Sequence, residues 1–284
     1  WERLWVQYEV LANHSIDNPD MLLSRLHEMA GLADGELGDP ERAYAALDRA
    51  FRCSPRHSET SNKLESIAKR EGILESLVAL YHEVAEDADD DLALSLRLRT
   101  GAFLMEDLQD AERAISVYQT IREDEPDHLE ALSRLARLYR QESMAIELAT
   151  TLRNQADVQH ELAPKVALLS ELAQLKQDQL DDKSGAHEVF TEVLDLERSN
   201  QGAIEALHRL ADEGVQTLDI AERLESIYSE REAWEELQSL LQIKLRVIED
   251  AGDRLELSRQ LAELFLHRLE DKTSAITWYG NALR

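Results

Sequence analysis

The sequence predicts an all-α solenoid in which about 16 helices stack as antiparallel hairpins. Three observations predict it. Helix-forming residues dominate the 284 positions, whereas Gly (10) and Pro (5) are scarce. Apolar residues recur every three or four positions along most of the chain, as they do on one face of a helix. Related segments also recur at a long, nearly constant interval, which indicates a repeat protein and not a single globular core.

Four segments repeat a small side chain that is followed one helical turn later by a large one. The small residues are Ala43, Ala114, Ala186 and Ala275, at intervals of 71, 72 and 89 residues. The large residues are Leu47, Tyr118, Phe190 and Tyr279. A small residue lets a neighbouring helix approach closely, and the large one fills the space beside it. The recurrence therefore predicts hairpins that pack on one another in series.

Proline marks where two of these helices should end. Pro55 and Pro126 follow the core positions Ala50 and Ile121, and a proline cannot continue a helix because it lacks the backbone N–H. After Pro126 a second apolar stripe begins at helical spacing. Its members are Leu132, Leu135, Ala136 and Tyr139.

These residues resemble the tetratricopeptide repeat (TPR) family. The resemblance rests on the small, aromatic, apolar and proline positions Ala114, Tyr118, Ile121 and Pro126, and on the stripe that follows them. Ala136 stands where the family usually has Gly. The resemblance implies a right-handed superhelical stack of hairpins that binds other proteins. The alternation of Trp-x-x-Leu and Asp-x-x-x-Ala helices is also similar to that of very large bacterial TPR-like repeat proteins.

A period near 71 residues is about twice the ~34 residues of one TPR hairpin, so the predicted unit is a pair of unlike hairpins. We treat the chain as one solenoid with super-repeats at 1–73, 74–144, 145–233 and 234–284. The third is longer, which predicts one added helix at 201–213. The predicted helices are 1–13, 20–36, 40–53, 57–71, 73–88, 90–107, 109–124, 127–141, 143–158, 162–180, 183–197, 201–213, 216–230, 232–250, 253–269 and 272–284.

The first and last predicted helices carry aromatic residues that a stack would leave uncovered. These are Trp1, Trp5, Trp278 and Tyr279. Natural repeat stacks end in polar capping helices, so we expect further repeats to flank both ends, or self-association through them. No targeting segment is visible, and we expect a cytoplasmic and not an exported protein.

The net charge of −27, from 31 Lys and Arg against 58 Asp and Glu, argues against nucleic acid as a partner. Affinity for a phosphate backbone comes from basic residues that release its counterions. No apolar run is long enough for membrane insertion. The single Cys53 has no partner for an internal disulfide, and we expect it to be a small buried apolar residue.

Catalytic and metal-binding patterns are not found in the sequence. The nine histidines are scattered, without a His-Glu-x-x-His motif or a Cys/His pair, and fit solvent-facing or helix-capping positions. The acidic stretch 86–91 lacks the glycine and the terminal Glu of a calcium loop, and better fits a helix start that complements the helix dipole. Phosphate-binding glycine loops are absent too. The sequence therefore predicts a protein that is not an enzyme and has no cofactor or metal.

The predicted role is a surface that docks a partner protein or peptide. Helices 90–107 and 127–141 carry arginines among acidic neighbours, and we expect four of them to meet carboxylates of the partner. They are Arg97, Arg134, Arg137 and Arg140. The alternative is that these arginines pair with Asp and Glu one turn away within the protein. Other functions that fit the sequence are a structural spacer, a self-assembling rod, or a regulatory arm of an enzyme whose catalytic domain is not in this chain.

Overall fold

The computed structural model describes residues 1–282, which form sixteen α-helices, one π-helical turn and no β-strand. The first eight helices are α1 (Glu2–His14), α2 (Pro19–Leu32), α3 (Pro40–Cys53), α4 (Ser58–Glu71), α5 (Leu74–Glu86), α6 (Asp90–Glu106), α7 (Ala111–Asp124) and α8 (Leu129–Gln141). The others are α9 (Ala145–Val158), α10 (Leu162–Asp178), α11 (Lys183–Leu196), α12 (Gln201–Asp212), α13 (Thr217–Glu230), α14 (Trp234–Val247), α15 (Ala251–His267) and α16 (Lys272–Ala282). Each predicted helix is observed within a few residues of its expected bounds, and the last two positions of the predicted helix 272–284 lie outside the described residues.

The chain forms two compact units, Trp1–Leu138 and Tyr139–Arg284. Successive helices from α1 to α7 in the first unit and from α9 to α16 in the second pack side by side, and their short connections make them antiparallel. In such a helical-repeat fold each hairpin buries its apolar stripe against the next one. The prediction of an all-α fold of stacked hairpins is therefore confirmed, while the super-repeat boundaries stay predictions.

The four repeated segments start their helices in the same way. In each, a residue with positive φ precedes an Asp whose side chain accepts the backbone N–H three residues later. The residues with positive φ are Gly38, Gln109, Asp181 and Glu270, and the capping residues are Asp39, Asp110, Asp182 and Asp271. An Asp at this position satisfies an otherwise unpaired N–H of the first turn and complements the helix dipole. Part of the acidic residue content is thus needed to start helices.

The small and large side chains of the repeated segments lie mostly in the core. All four alanines are buried, and so are the first three large residues, whereas Tyr279 is exposed. The ring of Tyr118 lies directly against Gly101 on α6. A methyl group on Gly101 would lie 2.5 Å from Cζ of Tyr118. The backbone of α6 therefore approaches the tyrosine ring as closely as a glycine permits.

Two local features differ from the sequence-based expectation. The helix expected at 20–36 ends at Leu32 and continues as a π-helical turn, Ala33–Leu37, which Gly38 closes with a φ of 62°. Cys53 is exposed, so the prediction that it is buried is wrong. It is the last residue of α3, and the connections between helices lie at the surface.

The added helix predicted at 201–213 is observed as α12. It packs on α11 and α13, and also on α14, which is two helices further along the chain. His208 joins these helices, because its Nδ1 lies 2.8 Å from the hydroxyl of Tyr228 and its Nε2 lies 3.2 Å from Oγ of Ser239. Burial lowers the pKa of His208, so the neutral ring is favoured at this junction.

A histidine and threonine network links α2 to the start of α4. Lys63 Nζ donates to His27 Nδ1 over 3.3 Å, so Nε2 of His27 carries the proton and donates to Thr60 Oγ1 over 2.7 Å. The Thr60 hydroxyl then donates to His57 Nδ1 over 2.8 Å, and this atom also accepts the backbone N–H of Thr60. Burial, followed by the charge of Lys63, lowers the pKa of His27, against an opposing effect of Glu59. The network uses Nδ1 of His27 as an acceptor, which requires that His27 is neutral.

We expect the free energy of unfolding to decrease as the pH falls from about 7 to about 5, in part through His27. A histidine whose pKa is lower in the folded than in the unfolded protein stabilises the fold above its unfolded pKa, and this contribution is lost as the pH falls toward its folded pKa. His27→Gln can still donate to Thr60 and should flatten the pH dependence. His82→Gln, at an exposed histidine, is the matched control. Urea unfolding at several pH values in this range measures how steeply the free energy of unfolding changes with pH. An equal pH dependence for His27→Gln and the wild type would refute the assignment to His27.

Candidate functional site

A groove runs along α14 between α13 and α15 in the second unit, and we call it the α13–α15 groove. Each of the three helices contributes one stripe of side chains, spaced by three or four residues and so lying on one helix face. The stripe of α13 consists of Leu218, Glu222, Glu225 and Ser229. The stripe of α14 consists of Trp234, Leu237, Leu241 and Lys244, and Ile248 follows directly after the helix. The stripe of α15 consists of Asp253, Glu256, Leu257, Gln260, Glu263, Leu264 and His267, and Arg268 follows directly after the helix.

The groove has two adjoining parts with an apolar floor. The part at the Trp234 end has a volume of about 670 Å³, and the part at the turn between α14 and α15 has a volume of about 430 Å³. Gln260 lines both parts. Trp234 is half-buried, while Leu237 and Leu241 are buried at the base. An apolar concave surface with a few polar groups at its rim is the usual form of a binding cleft.

The cation on the groove floor is neutralised within the protein. Lys244 Nζ on α14 lies 2.6 Å from Glu225 Oε1 on α13, and both side chains are largely buried. On α15, Glu256 and Glu263 both pair with Arg259, at 2.7 and 2.9 Å. Lys244 and Glu225 cancel, while Glu256 and Glu263 share the single cation Arg259, so one negative charge remains in the middle of the groove.

The two ends of the groove carry opposite free charges. Glu222 and Asp253 lie at the end near the turn between α14 and α15, and neither forms an ion pair with a described residue. At the other end, the guanidinium carbon of Arg268 lies 4.7 Å from the centroid of the Trp234 ring, which is a cation–π contact. Arg268 also has no carboxylate partner among residues 1–282. A ligand in the groove would therefore meet an acidic end and a basic end.

The first unit contains the equivalent helices α4, α5 and α6. The near-copies 63–67 and 223–227 align α4 with α13, and Leu74 and Trp234 align α5 with α14, both with an offset of 160 residues. The buried residues Leu96 and Phe103 align α6 with Leu257 and Leu264 of α15, with an offset of 161 residues. Four groove positions carry larger side chains in the first unit. Lys69, Tyr81, Arg99 and Phe103 stand where the second unit has Ser229, Leu241, Gln260 and Leu264.

Tyr81 and Phe103 are buried among α4, α5 and α6, whereas the side chains of Lys69 and Arg99 remain partly exposed. Tyr81 is fully buried, and its hydroxyl donates to Glu65 Oε1 over 2.9 Å. Arg99 donates to the same oxygen over 3.0 Å. Lys69 Nζ lies 5.1 Å from the centroid of the Phe103 ring. At these four positions the first unit therefore has bulkier side chains than the second. An opening of about 410 Å³, which Val84, Ala88 and Leu92 help to line, remains near the turn between α5 and α6.

Most of the arginines predicted to meet a partner are paired inside the protein. Arg97 lies 2.5 Å from Asp124, Arg134 lies 2.7 Å from Glu106, and Arg140 lies 2.7 Å from Glu171. These carboxylates are 27, 28 and 31 residues away, on other helices, and Arg134 also has Glu130 one turn away at 3.6 Å. Arg137 is exposed and forms no ion pair with a described residue. Three of the four arginines thus pair within the protein, but only the Arg134–Glu130 contact lies one turn away, as the alternative expected.

Sequence reasoning placed no functional residue in the α13–α15 groove. A signal was present in the near-copies 63–67 and 223–227, because they align positions at which the first unit has the larger residue. The sequence does not show that those positions face one another across a groove. That information comes only from the packing of three helices.

The described residues hold no metal site and no membrane-spanning helix. In residues 1–282 no three His, Cys, Asp or Glu side chains are arranged to bind a metal ion. None of the helices there combines the length and the apolar character needed to cross a lipid bilayer. In the acidic stretch 86–91, Asp89 accepts the backbone N–H of Leu92 over 3.1 Å and pairs with Arg56 at 2.5 Å. This carboxylate therefore starts α6, as the interpretation of an acidic helix start predicts.

No protein-family model matches the chain, and no curated protein matches it either. Among solved structures, a tetratricopeptide repeat protein from Parabacteroides merdae ATCC 43184 is 17% identical, with a TM-score of 0.37, over 92% of this chain and 99% of its own. MamA from Desulfovibrio magneticus RS-1 is 18% identical, with a TM-score of 0.36, over 63% of this chain and 97% of its own. A chain of the Naa15/Naa10 complex bound to HypK-THB is 16% identical, with a TM-score of 0.42, over 98% of this chain and 48% of its own.

These similarities concern the fold alone, because the identities are low and the TM-scores lie below 0.5. The fold itself is evident from the helices. Consecutive antiparallel helices pack in series within each unit, and buried alanines with large partners recur between them. The protein has an all-α helical-repeat fold.

Proposed function

We propose that this protein is a non-catalytic interaction scaffold that holds a segment of a partner protein in the α13–α15 groove. One observation carries the proposal. Lys69, Tyr81, Arg99 and Phe103 stand at four positions between α4 and α6, and smaller side chains at the equivalent positions of the second unit line an open groove of about 670 Å³. Protein interiors are close-packed, and the first unit shows that larger side chains can stand at these four positions. An opening that is kept in the second unit is best explained by an occupant.

The floor of the groove suits a protein side chain as that occupant. Trp234 lies at the wider end, and tryptophan is among the residues that contribute most to protein interfaces. Leu237, Leu241 and Leu264 complete an apolar base. Burial of one leucine side chain on such a base stabilises a complex by about 1.5–3 kcal/mol. A few apolar side chains of a partner are enough for measurable binding.

The residues of the first unit provide a groove-closing variant. It combines Ser229→Lys, Leu241→Tyr, Gln260→Arg and Leu264→Phe. Glu225 stands at the position of Glu65, and it already accepts from Lys244, where the first unit has Val84. The introduced tyrosine and arginine would share this carboxylate with Lys244, as Tyr81 and Arg99 share Glu65. We expect this variant to keep its helix content and to weaken the binding of groove ligands at least about tenfold, because the space they need is filled.

The test starts from a phage-displayed library of random peptides selected against the wild-type protein. The Kd of each enriched peptide is then measured by fluorescence anisotropy with the wild type, the groove-closing variant and the control Gln174→Arg, at an exposed position of α10. Gln174→Arg should bind like the wild type. Enriched peptides that bind the groove-closing variant as tightly as the wild type would argue against this site. Failure to enrich any peptide would favour the spacer function instead.

The arginines predicted from the sequence are the competing location for the partner. Arg137 is the first candidate there, because its guanidinium has no ion pair with a described residue. Reversal of Arg97, Arg134, Arg137 and Arg140 to Glu should leave the Kd of groove peptides unchanged. Loss of binding in this variant, together with full binding by the groove-closing variant, would place the partner at the arginines.

A further inference from the structure

We propose that the occupant of the α13–α15 groove is an amphipathic helix of a partner protein, with an apolar stripe over the groove floor and basic residues over Glu222 and Asp253. This inference rests on the proposed docking function and specifies the chemistry of the partner. The two carboxylates line the end of the groove near the turn between α14 and α15.

The charge of the partner follows from these two carboxylates. Both are exposed, and neither is neutralised by a described cation. The equivalent positions of the first unit hold Asn62 and Leu92, so these free charges are a feature of the α13–α15 groove and not of α4–α6. Charges beside a low-dielectric wall act more strongly than charges on an open surface. The net charge of −27 also favours the approach of a basic segment.

The helical form of the partner follows from the backbone of the groove. Its walls and floor are α-helices, whose backbone N–H and C=O groups are hydrogen-bonded within each helix. An extended peptide would place its own polar backbone groups against the floor of Trp234, Leu237 and Leu241 without partners, and each unpaired group has a free-energy penalty. A helix satisfies these groups internally.

The length of the partner helix follows from the floor. The stripe from Trp234 to Ile248 spans about 21 Å at the 1.5 Å rise per residue of an α-helix. A partner helix of about four turns matches this span. Its apolar residues would be spaced by three or four positions, so that they face the floor together.

Two designed peptides test the charge of the partner. Both are fluorophore-labelled helices of about 15 residues with the same stripe of leucines, and they differ only at one end, which carries two lysines in one and two glutamates in the other. Their Kd values are measured by fluorescence anisotropy with the full chain. The protein variants are Glu222→Lys/Asp253→Lys, the groove-closing variant, and the control Glu142→Lys/Asp178→Lys. The control makes the same change in net charge at exposed residues outside the groove.

We expect the lysine peptide to bind the wild type about three- to tenfold more tightly than the glutamate peptide. Glu222→Lys/Asp253→Lys should reverse this preference, and the control should retain it. A rise in salt concentration should reduce the difference between the peptides, because it screens the charges.

The outcomes separate this inference from the docking function on which it rests. Equal binding of the two peptides to the wild type, with both lost in the groove-closing variant, would refute the basic partner and retain the docking groove. A preference that persists in Glu222→Lys/Asp253→Lys would refute the assignment to these two carboxylates. If neither peptide distinguishes the wild type from the groove-closing variant, the proposed function itself fails.

Discussion

Replacement of Tyr81 by Ala is expected to lower the free energy of unfolding by about 3–5 kcal/mol. The Tyr81 ring is fully buried on α5, with its centroid 5.2 Å from that of Phe51 on α3 and 6.3 Å from that of Phe103 on α6. Loss of the ring leaves a cavity among three helices and removes an aromatic partner from both neighbours. Urea unfolding followed by circular dichroism measures the change.

Tyr81→Phe separates the ring from the hydroxyl. Glu65 keeps Arg99 as a partner when the hydroxyl is removed, so we expect this variant to lose only about 1 kcal/mol. Burial, followed by the charge of Glu65, raises the pKa of Tyr81, which keeps the hydroxyl protonated as the donor. Similar losses for Tyr81→Ala and Tyr81→Phe would show that ring packing is not the main contribution.

Replacement of Gly101 by Leu is the second large effect, with an expected loss of about 1–3 kcal/mol or more. A glycine inside a helix normally destabilises it by about 0.5–1 kcal/mol relative to Ala, so a helix-forming residue should help. At this position a Cβ atom would lie 2.5 Å from Cζ of Tyr118 and 2.9 Å from each Cε. Tyr118 is 1% exposed and has little room to move. The steric clash therefore outweighs the gain in helix propensity.

Gly31→Ala on α2 is the matched control for the glycine prediction. No atom lies within 4 Å of a Cβ built on Gly31, so only the helix propensity should change. We expect this variant to gain about 0.5–1 kcal/mol in free energy of unfolding, while Gly101→Ala loses stability. Thermal or urea unfolding of both variants measures whether the free energy of unfolding rises or falls. A higher free energy of unfolding for Gly101→Ala would disprove the close approach of α6 to Tyr118.

The four positions at which the two units differ in side-chain size show how far sequence reasoning reached the candidate site. The repeat alignment compares Tyr81 with Leu241 and Arg99 with Gln260, and the difference in size is visible in the sequence. The sequence does not reveal that Tyr81 and Arg99 border one space in the first unit, or that Leu241 and Gln260 border one space in the second. The two residues lie on different helices in each unit, and only the packing brings them together. The groove therefore became visible only when three helices were placed side by side.

The packing of the helices also decided which carboxylate each arginine pairs with. The arginines of 90–107 and 127–141 could be seen in the sequence, together with carboxylates one turn away. In the structure Arg97 and Arg140 pair instead with Asp124 and Glu171, on other helices. A long arginine side chain reaches across to the adjacent helix, and which carboxylate stands there depends on how the helices are stacked.

The sequence by itself determined the helices, their order and the added helix α12. These features depend on neighbours within a few residues, such as an Asp that caps a first turn, a proline that ends a helix, and apolar residues at helical spacing. Only the tertiary structure decided which spaces between helices are filled, which charges remain free, and that Gly101 meets Tyr118. Such contacts join residues that are distant in the chain, and their geometry is fixed by packing and not by local conformation.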